Sequence, residues 1–318
     1  MGRRNKGREL NGILIVDKPQ GLTSNDVVSR LKRWSNANKV GHTGALDPMA
    51  TGVLPVVFGE AAKFSQYGLD ANKGYLARVQ LGSATDTLDA DGNVVLVKPI
   101  PELTESSILA VLESLTGPMM QVPPMVSALK YQGQPLYKLA RQGQEIERQP
   151  RPVQVFSNGL LDFDSTTGWI DICVRCSKGT YIRSLAESIG DALGTVAHLS
   201  RLRRDLSGGF SLDQAKPWSA LELLEEHDPE TIDSSLLPVD AILSHFPRID
   251  LTEDECMILI QGQKFSGKAL DVCDTMRAYF AGGPFIGLVS VDSDGLIAAK
   301  RMLSPAAAGM RGSSDSGH

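Results

Sequence analysis

The amino-acid sequence predicts an α+β protein of two domains. Three features carry that expectation. Strand-like apolar or alternating runs are interspersed irregularly with capped amphipathic helices. Strand-like runs become denser beyond a boundary at Pro238–Pro247. The chain has 318 residues, enough for two domains and a large core. Hydrophobic residues are 42% and charged residues 22% of the total, the balance of an ordinary globular protein. No apolar run approaches the roughly 20 residues that cross a bilayer. The basic stretch Met1–Arg8 lacks the apolar segment of a secretory signal. Four cysteines suit a reducing compartment, so cytoplasmic residence is expected.

Along the chain, Ile13-Leu14-Ile15-Val16 reads as a buried strand ending at Pro19. Thr23 or Ser24 caps a helix with Val27, Val28, Leu31 and Trp34 on one face. After a glycine-rich loop, Val53–Phe58 is apolar enough for a buried strand, although Pro55 interrupts it. Glu60–Tyr67 looks helical, Tyr75–Leu81 alternates as a strand, and Asn93–Val97 follows the Asp91-Gly92 turn. Thr104 caps a helix carrying Ile108, Leu109, Val111, Leu112 and Leu115, ended by Gly117-Pro118. From Met119 to Pro152 periodicity nearly vanishes, and only Leu136–Arg141 has helical character. A long irregular segment inside a compact domain is usually functional or mobile. Strands resume at Val153–Phe156, Gly159–Phe163 and Trp169–Arg175, and Tyr181–Leu193 is an amphipathic helix. Beyond Arg248 come strand candidates at Phe265, Phe285–Val291 and Leu296–Met302, with a turn at Asp292–Gly295. Residues 305–318 are rich in Ala, Gly and Ser and are expected to be disordered.

The most informative stretch is Gly41-His42-Thr43-Gly44-Ala45-Leu46-Asp47-Pro48, continuing through Thr51-Gly52 to Leu54-Pro55. It holds one carboxylate in a loop shaped by glycine, which reaches conformations other residues resist, and proline, which fixes φ. An Asp so held is a candidate nucleophile or base. On spacing alone it is equally a turn residue, since Asp before Pro is common in turns.

Three other patterns carry no chemistry. Cys173-x-x-Cys176 has zinc-like spacing, but no second CxxC accompanies it, and strand alternation puts the two thiols on opposite faces. Asp89-x-Asp91-Gly92 resembles a calcium loop, but it would need a bidentate Glu where Lys98 stands. The Asp47 loop lacks the GxxxxGK[ST] pattern that cradles phosphates.

Net charge is −5, mildly unfavourable for a nucleic-acid partner, but local distribution matters more. Arg3, Arg4, Lys6 and Arg8 form one basic cluster. Lys130, Lys138, Arg141, Arg148 and Arg151 form a second, against Glu145 and Glu147. Arg201, Arg203 and Arg204 form a third. Much of the acid lies elsewhere, at Glu222–Asp228 and Asp250–Glu255. Each run alone reads as a solvated face.

The wording of five blocks narrows the reading. GHTGALDPMATGVLP closely resembles the catalytic motif of TruB-type tRNA pseudouridine synthases. Asp17-Lys18-Pro19-Gln20-Gly21-Leu22-Thr23-Ser24 resembles that family's N-terminal signature. Lys73-Gly74-Tyr75, with Leu81-Gly82 and Thr85-Asp86-Thr87, is similar to its second block. Pro123-Pro124-Met125 with Ser127-Ala128-Leu129-Lys130 is similar to a third. Cys176–Arg183, followed by His198 and Leu202-Arg203-Arg204, is similar to a fourth. The blocks run in order over about residues 11–215, far more specific than any one motif.

The resemblance implies a catalytic domain at 11–245 after a basic tail at 1–10, with a mixed, largely antiparallel sheet flanked by helices. Residues 119–152 would be an RNA-gripping thumb loop. Residues 246–304 would form a small PUA-like β-barrel, followed by a disordered tail at 305–318. The implied reaction is isomerisation of the uridine at position 55 in the tRNA T-arm. It detaches uracil from C1′, turns it and rejoins it through C5, with no cofactor or metal. Asp47 is the implied essential carboxylate, attacking C6 or C1′ or promoting a glycal route. Arg183 would keep it ionised, because Arg stays protonated and bonds carboxylates bidentately. Tyr75 would stack on uracil and help remove the C5 proton. Leu202 and Tyr181 would line the pocket, and His42 would fill the space left by the flipped base. Lys18 and Lys130 would support structure or contact phosphate. Val126 departs from the pattern, which often has an aromatic residue there. The implied partner is tRNA, with no membrane, no obligate protein partner, and a monomeric enzyme.

Two rival classes remain. A glycoside hydrolase usually needs two cooperating carboxylates, and the nearby blocks supply no companion for Asp47. A non-catalytic RNA-binding module would suit the basic segments and the strand-rich C-terminal part.

Overall fold

The computed structural model describes residues 7–223, 229–266 and 270–309. Arg3, Arg4, Lys6, Glu225, Glu226, Asp228 and the tail from 310 lie outside the described residues.

A mixed ten-stranded sheet organises the chain. Its path runs Lys216–Pro217, Gly12–Lys18, Thr51–Phe58, Ala197–Ser207, Lys73–Leu81, Trp169–Cys176, Arg151–Asp164, Gly117–Gln121. The pairings of Lys216–Pro217 with Gly12–Lys18 and of Ala197–Ser207 with Thr51–Phe58 are parallel. The other pairings along the path are antiparallel.

The continuous apolar runs are explained by burial on both faces. Leu14, Val16, Leu54, Val56 and Phe58 point into one core, beneath the helices Ser24–Trp34, Glu105–Ser114 and Ile182–Ala192. Ile13, Ile15, Val53 and Val57 point the other way, into a second core built with Ile242, Leu243 and the C-terminal strands. Thr23 and Thr104 each cap their helix with a reciprocal capping box, which satisfies N–H groups the helix itself cannot.

Several elements differ from the sequence expectation. Ala197–Ser207, central in the sheet, carries Arg201, Arg203 and Arg204 and so has no apolar alternation to announce it. The helix stops before Gly117, as expected, but Gly117–Gln121 is a strand rather than the start of an irregular segment, paired from Arg151↔Gln121 to Val155↔Gly117. The excursion from 122 to 150 is thus anchored between two adjacent strands. The two strands expected across 153–163 are one bulged strand, Arg151–Asp164. Cys173 is half-buried and Cys176 buried on the opposite face, both as free thiols.

The C-terminal strands Arg248–Leu251, Cys273–Phe280, Phe285–Val291 and Ile297–Met302 form an open four-stranded sheet; no closed barrel occurs among the described residues. One margin is the short strand Arg248–Leu251, and at the other Phe265 adds a single bridge to Ile297. Residues 305–309, expected to be disordered, form a turn that buries Ala308 in the second core.

Candidate active site

Asp47 lies in the connection of a hairpin made by Val40–His42 and Thr51–Phe58. Four interactions shape this connection. The Ala50 N–H donates to the Asp47 carbonyl at 3.1 Å. Ser24 Oγ accepts from the Leu46 N–H at 2.8 Å and faces its carbonyl at 3.2 Å. The Lys18 ammonium donates to the carbonyls of Pro19, Leu22 and Pro48. Arg204 donates from Nη1 to the Ala45 carbonyl at 3.3 Å, from Nη2 to that of Gly44 at 3.1 Å, and from Nε to that of Val53 at 2.7 Å. Gly52 has φ +104°, and a Cβ there would lie 2.1 Å from the Arg204 carbonyl oxygen, so glycine is required.

The loop forms one wall of a cavity of about 340 Å3, within the range of small-ligand sites. Asp47, Tyr75, Tyr181, Arg183, Leu202 and Arg204 line it, with Lys73 at its margin. Tyr75 and Arg204 meet because they are register partners on adjacent strands. A larger cleft of about 580 Å3 lies along Arg78, Asp171 and Arg203. Of its four charged lining residues, Arg78 pairs with Asp171 and Arg203 with Asp17, leaving Arg201; the smaller cavity, which holds the buried Arg183 against Asp47, is the better candidate for chemistry.

Arg183 Nε stands 3.0 Å from Asp47 Oδ2, with 4% of the arginine side chain and 39% of the aspartate exposed. Nη1 donates to the Thr87 carbonyl at 3.0 Å and faces Asp89 Oδ2 at 3.4 Å. Nη2 donates to the Val126 carbonyl at 2.8 Å. The guanidinium is therefore oriented from three directions. Burial raises the Asp47 pKa above its ordinary value, Arg183 opposes that rise, and Asp89 adds to it. The exposed part of Asp47 faces the cavity rather than bulk water, which is why burial still dominates. Burial also pushes the Tyr75 phenol up, while the adjacent Arg204 guanidinium works against it.

The remaining candidates are dispersed. His42 is half-buried, its Nδ1 accepts from the Gly44 N–H at 3.2 Å, and burial lowers its pKa, favouring neutral imidazole. Lys18 has 0% exposure, so it holds the Asp47 loop and cannot reach a phosphate. Its pKa falls to about 8, chiefly through burial. Lys130 is exposed on the short hairpin Lys130–Tyr131/Gln134–Pro135 and lines a different cleft with Arg148 and Arg151. The third basic cluster dissolves: Arg204 is 1% exposed, Arg203 is bound bidentately to Asp17, and Arg201 is left exposed.

Asp89 was legible only as part of a failed calcium loop. In the structure it is a second carboxylate on Arg183, held by Thr87 Oγ1 and the Asp91 N–H. It does not line the cavity, so it is no partner for a two-carboxylate glycosidase. Gln121 gave no local signal, and Arg204, though part of a motif block, was read only as a surface cation, because their roles depend on contacts distant in sequence. No group of three or more His, Cys, Asp or Glu among the described residues could hold a metal ion. Nor is any described helix long and apolar enough to cross a membrane.

The fold has counterparts in known structures. A chain from an H/ACA RNP bound to a substrate RNA containing 2′-deoxyuridine superposes with TM-score 0.69 at 21% identity, covering 96% of this chain and 92% of that one. A chain from a Cbf5-Nop10-Gar1 complex gives TM-score 0.66 at 25% identity, covering 93% and 80%. The fold is that of the pseudouridine synthases. Residues 32–182 match the TruB family pseudouridylate synthase N-terminal domain, and residues 183–244 match the tRNA pseudouridylate synthase B C-terminal domain. Proteins called tRNA pseudouridine synthase B from Chromohalobacter salexigens and Saccharophagus degradans are 46% and 44% identical, each over 96% of this chain and 98% and 99% of their own. This chain belongs to the TruB family, and it is a pseudouridine synthase, an isomerase.

Proposed function

We propose that this enzyme converts the uridine at position 55 in the tRNA T-arm to pseudouridine, with Asp47 as its essential carboxylate. The observation that carries the reading is the Asp47–Arg183 ion pair on the wall of a cavity with Tyr75, Tyr181 and Leu202. The relatives named as tRNA pseudouridine synthases supply the substrate class.

In this reading the target base is flipped into the cavity, at a cost of a few kcal/mol offset by inserted side chains, with His42 in the vacated space. Asp47 acts as an anion, which Arg183 favours against burial. The N1–C1′ bond breaks, a C5–C1′ bond forms, C5 loses a proton and N1 gains one, so nothing is consumed and no cofactor is needed. Attack on C6, attack on C1′ and the glycal route each use the ionised carboxylate. Tyr75 stacks on the ring and takes part in removing the C5 proton; the Arg204 guanidinium beside it favours the phenolate, the form that can accept a proton, against the effect of burial.

Exposed Lys130, Lys138, Arg141 and Arg151 would grip the T-arm from the 119–152 thumb. The catalytic domain is 11–245, and 246–304, with its open four-stranded sheet, is an RNA-binding domain. The enzyme works as a cytoplasmic monomer.

The test uses unmodified tRNA transcript carrying tritium at uridine C5, with purified protein and no cofactor or metal. Tritium release with carbodiimide-detected pseudouridine at position 55 is the expected result. Modification elsewhere would move the site. Free uracil would indicate a glycosidase, and binding without release would indicate a non-catalytic module.

A further inference from the structure

Arg183 stands on the first turn of the helix Ile182–Ala192, whose start lacks a cap of its own. The N-cap residue Tyr181 makes no side-chain cap bond. Ser184, at the position where a capping box places its reciprocal acceptor, is turned away, and its Oγ donates to the Val122 carbonyl at 3.0 Å. The missing acceptor comes from another strand. Gln121 Oε1 accepts from the Tyr181 N–H at 2.7 Å, and Gln121 Nε2 donates to the Tyr181 carbonyl at 3.0 Å. Gln121 is 5% exposed and closes the strand Gly117–Gln121, where the thumb excursion begins. Five residues further on, within that excursion, the Val126 carbonyl takes Arg183 Nη2.

We propose that Gln121 is a positioning residue that caps the Tyr181–Arg183 segment from the thumb's root, so that Tyr181 and Arg183 take their working geometry only while that root is docked. Four bonds join the two segments: two from the Gln121 amide, one from Ser184 and one from Arg183. An uncapped N-terminal N–H buried without a partner is costly, so the helix start shifts when Gln121 cannot serve it. A shift there moves Arg183 against Asp47. The segment that grips RNA and the segment that orients the catalytic pair are thereby one mechanical unit. This inference rests on the proposed RNA isomerisation.

The experiment compares wild type, Gln121→Leu and Gln121→Glu in single-turnover tritium release at saturating tRNA. It is run beside tRNA affinity by filter binding and thermal melting. Glu keeps the acceptor for the Tyr181 N–H and loses the donor. Gln121→Leu is expected to slow release by about tenfold or more, because reactivity falls steeply with misplacement. Its tRNA affinity is expected to stay within about twofold of wild type, since Gln121 makes no proposed RNA contact. Gln121→Glu should fall between the two in rate. Wild-type rate in Gln121→Leu overturns the proposal. So does loss of rate in step with affinity and melting temperature in both variants, which a merely structural role would give. Should Gln121→Leu fail to fold, Gln121→Glu decides alone: a wild-type rate overturns, and a slowed rate at intact affinity supports. No release by wild type would instead sink the proposed reaction itself.

Discussion

At the scale of single residues, the proposed chemistry turns on keeping one carboxylate, Asp47, ionised where burial opposes it. Asp47→Asn keeps the shape of the side chain and removes the charge, so isomerisation should fall by at least about a thousandfold while tRNA binding persists. Turnover near the wild-type rate would remove Asp47 from the mechanism. The same substitution has a consequence for stability. The folded protein holds the Asp47 proton to higher pH than the unfolded chain, whose value is near 3.8. The unfolded state therefore loses its proton first as pH rises. Stability contributed by the protonated group is complete below the unfolded value and is lost as pH climbs through the folded one. At neutral pH the ionised carboxylate destabilises the fold, and Asp47→Asn should melt slightly higher than wild type. The gain is small because 39% of the aspartate side chain is exposed, and exposure screens its charge. A lower melting temperature at pH 7 would contradict this balance. Lys18 makes a contrasting case. Lys18→Met strips three backbone carbonyls of a charged donor and should cost roughly 1–3 kcal/mol in urea unfolding. Its tRNA affinity and salt slope should be unchanged, whereas loss of a phosphate contact would lower that slope by about one.

At the scale of elements, the site is a meeting of a hairpin tip and two central strands. The strand Ala197–Ser207 supplies Leu202 and Arg204 to one cavity while its backbone pairs with Thr51–Phe58 at Arg203↔Thr51 and Arg204↔Gly52. Gly52 is the point of closest approach. Gly52→Ala imposes a strained φ and drives a Cβ into backbone held by sheet register, which cannot shift cheaply. A loss of about 3 kcal/mol or more is expected, read as a lower urea midpoint or as failure to fold. A variant of wild-type stability would mean the hairpin can slide past Arg204.

At the scale of the whole molecule, the C-terminal segment is structurally continuous with the catalytic sheet. Phe64 meets Phe285 edge-on with centroids 5.5 Å apart, Lys63 donates to the Met302 carbonyl, and the Ser304 N–H donates to Glu60. Removing residues from 247 onward would strip most of the second core, in which Ile13, Ile15, Val53 and Val57 also lie. The truncated protein should therefore melt lower and tend to aggregate, beyond any loss of tRNA affinity. An unchanged melting temperature would show that the two parts are energetically independent.

Local pattern was enough for much of the frame. Ile13–Val16, Val53–Phe58 and Tyr75–Leu81 are strands because their apolar periodicity leaves little else. Thr23 and Thr104 cap helices because a side-chain oxygen at that position satisfies the first free N–H groups. The order of the motif blocks also singled out Asp47, Arg183 and Tyr75 before any geometry was available. Tertiary structure alone decided the rest. Arg204 read as one of a cluster of surface cations and Lys18 as either a structural or a phosphate-contacting residue; both are buried clamps, because their partners are carbonyls that the fold brings toward them. Asp89 and Gln121 have no local signature, since each acts on a residue at least 60 positions away in sequence. The strand Ala197–Ser207 was illegible for the same reason: Arg203, Arg204 and Asp205 are paired or bonded only by neighbours that the fold brings together.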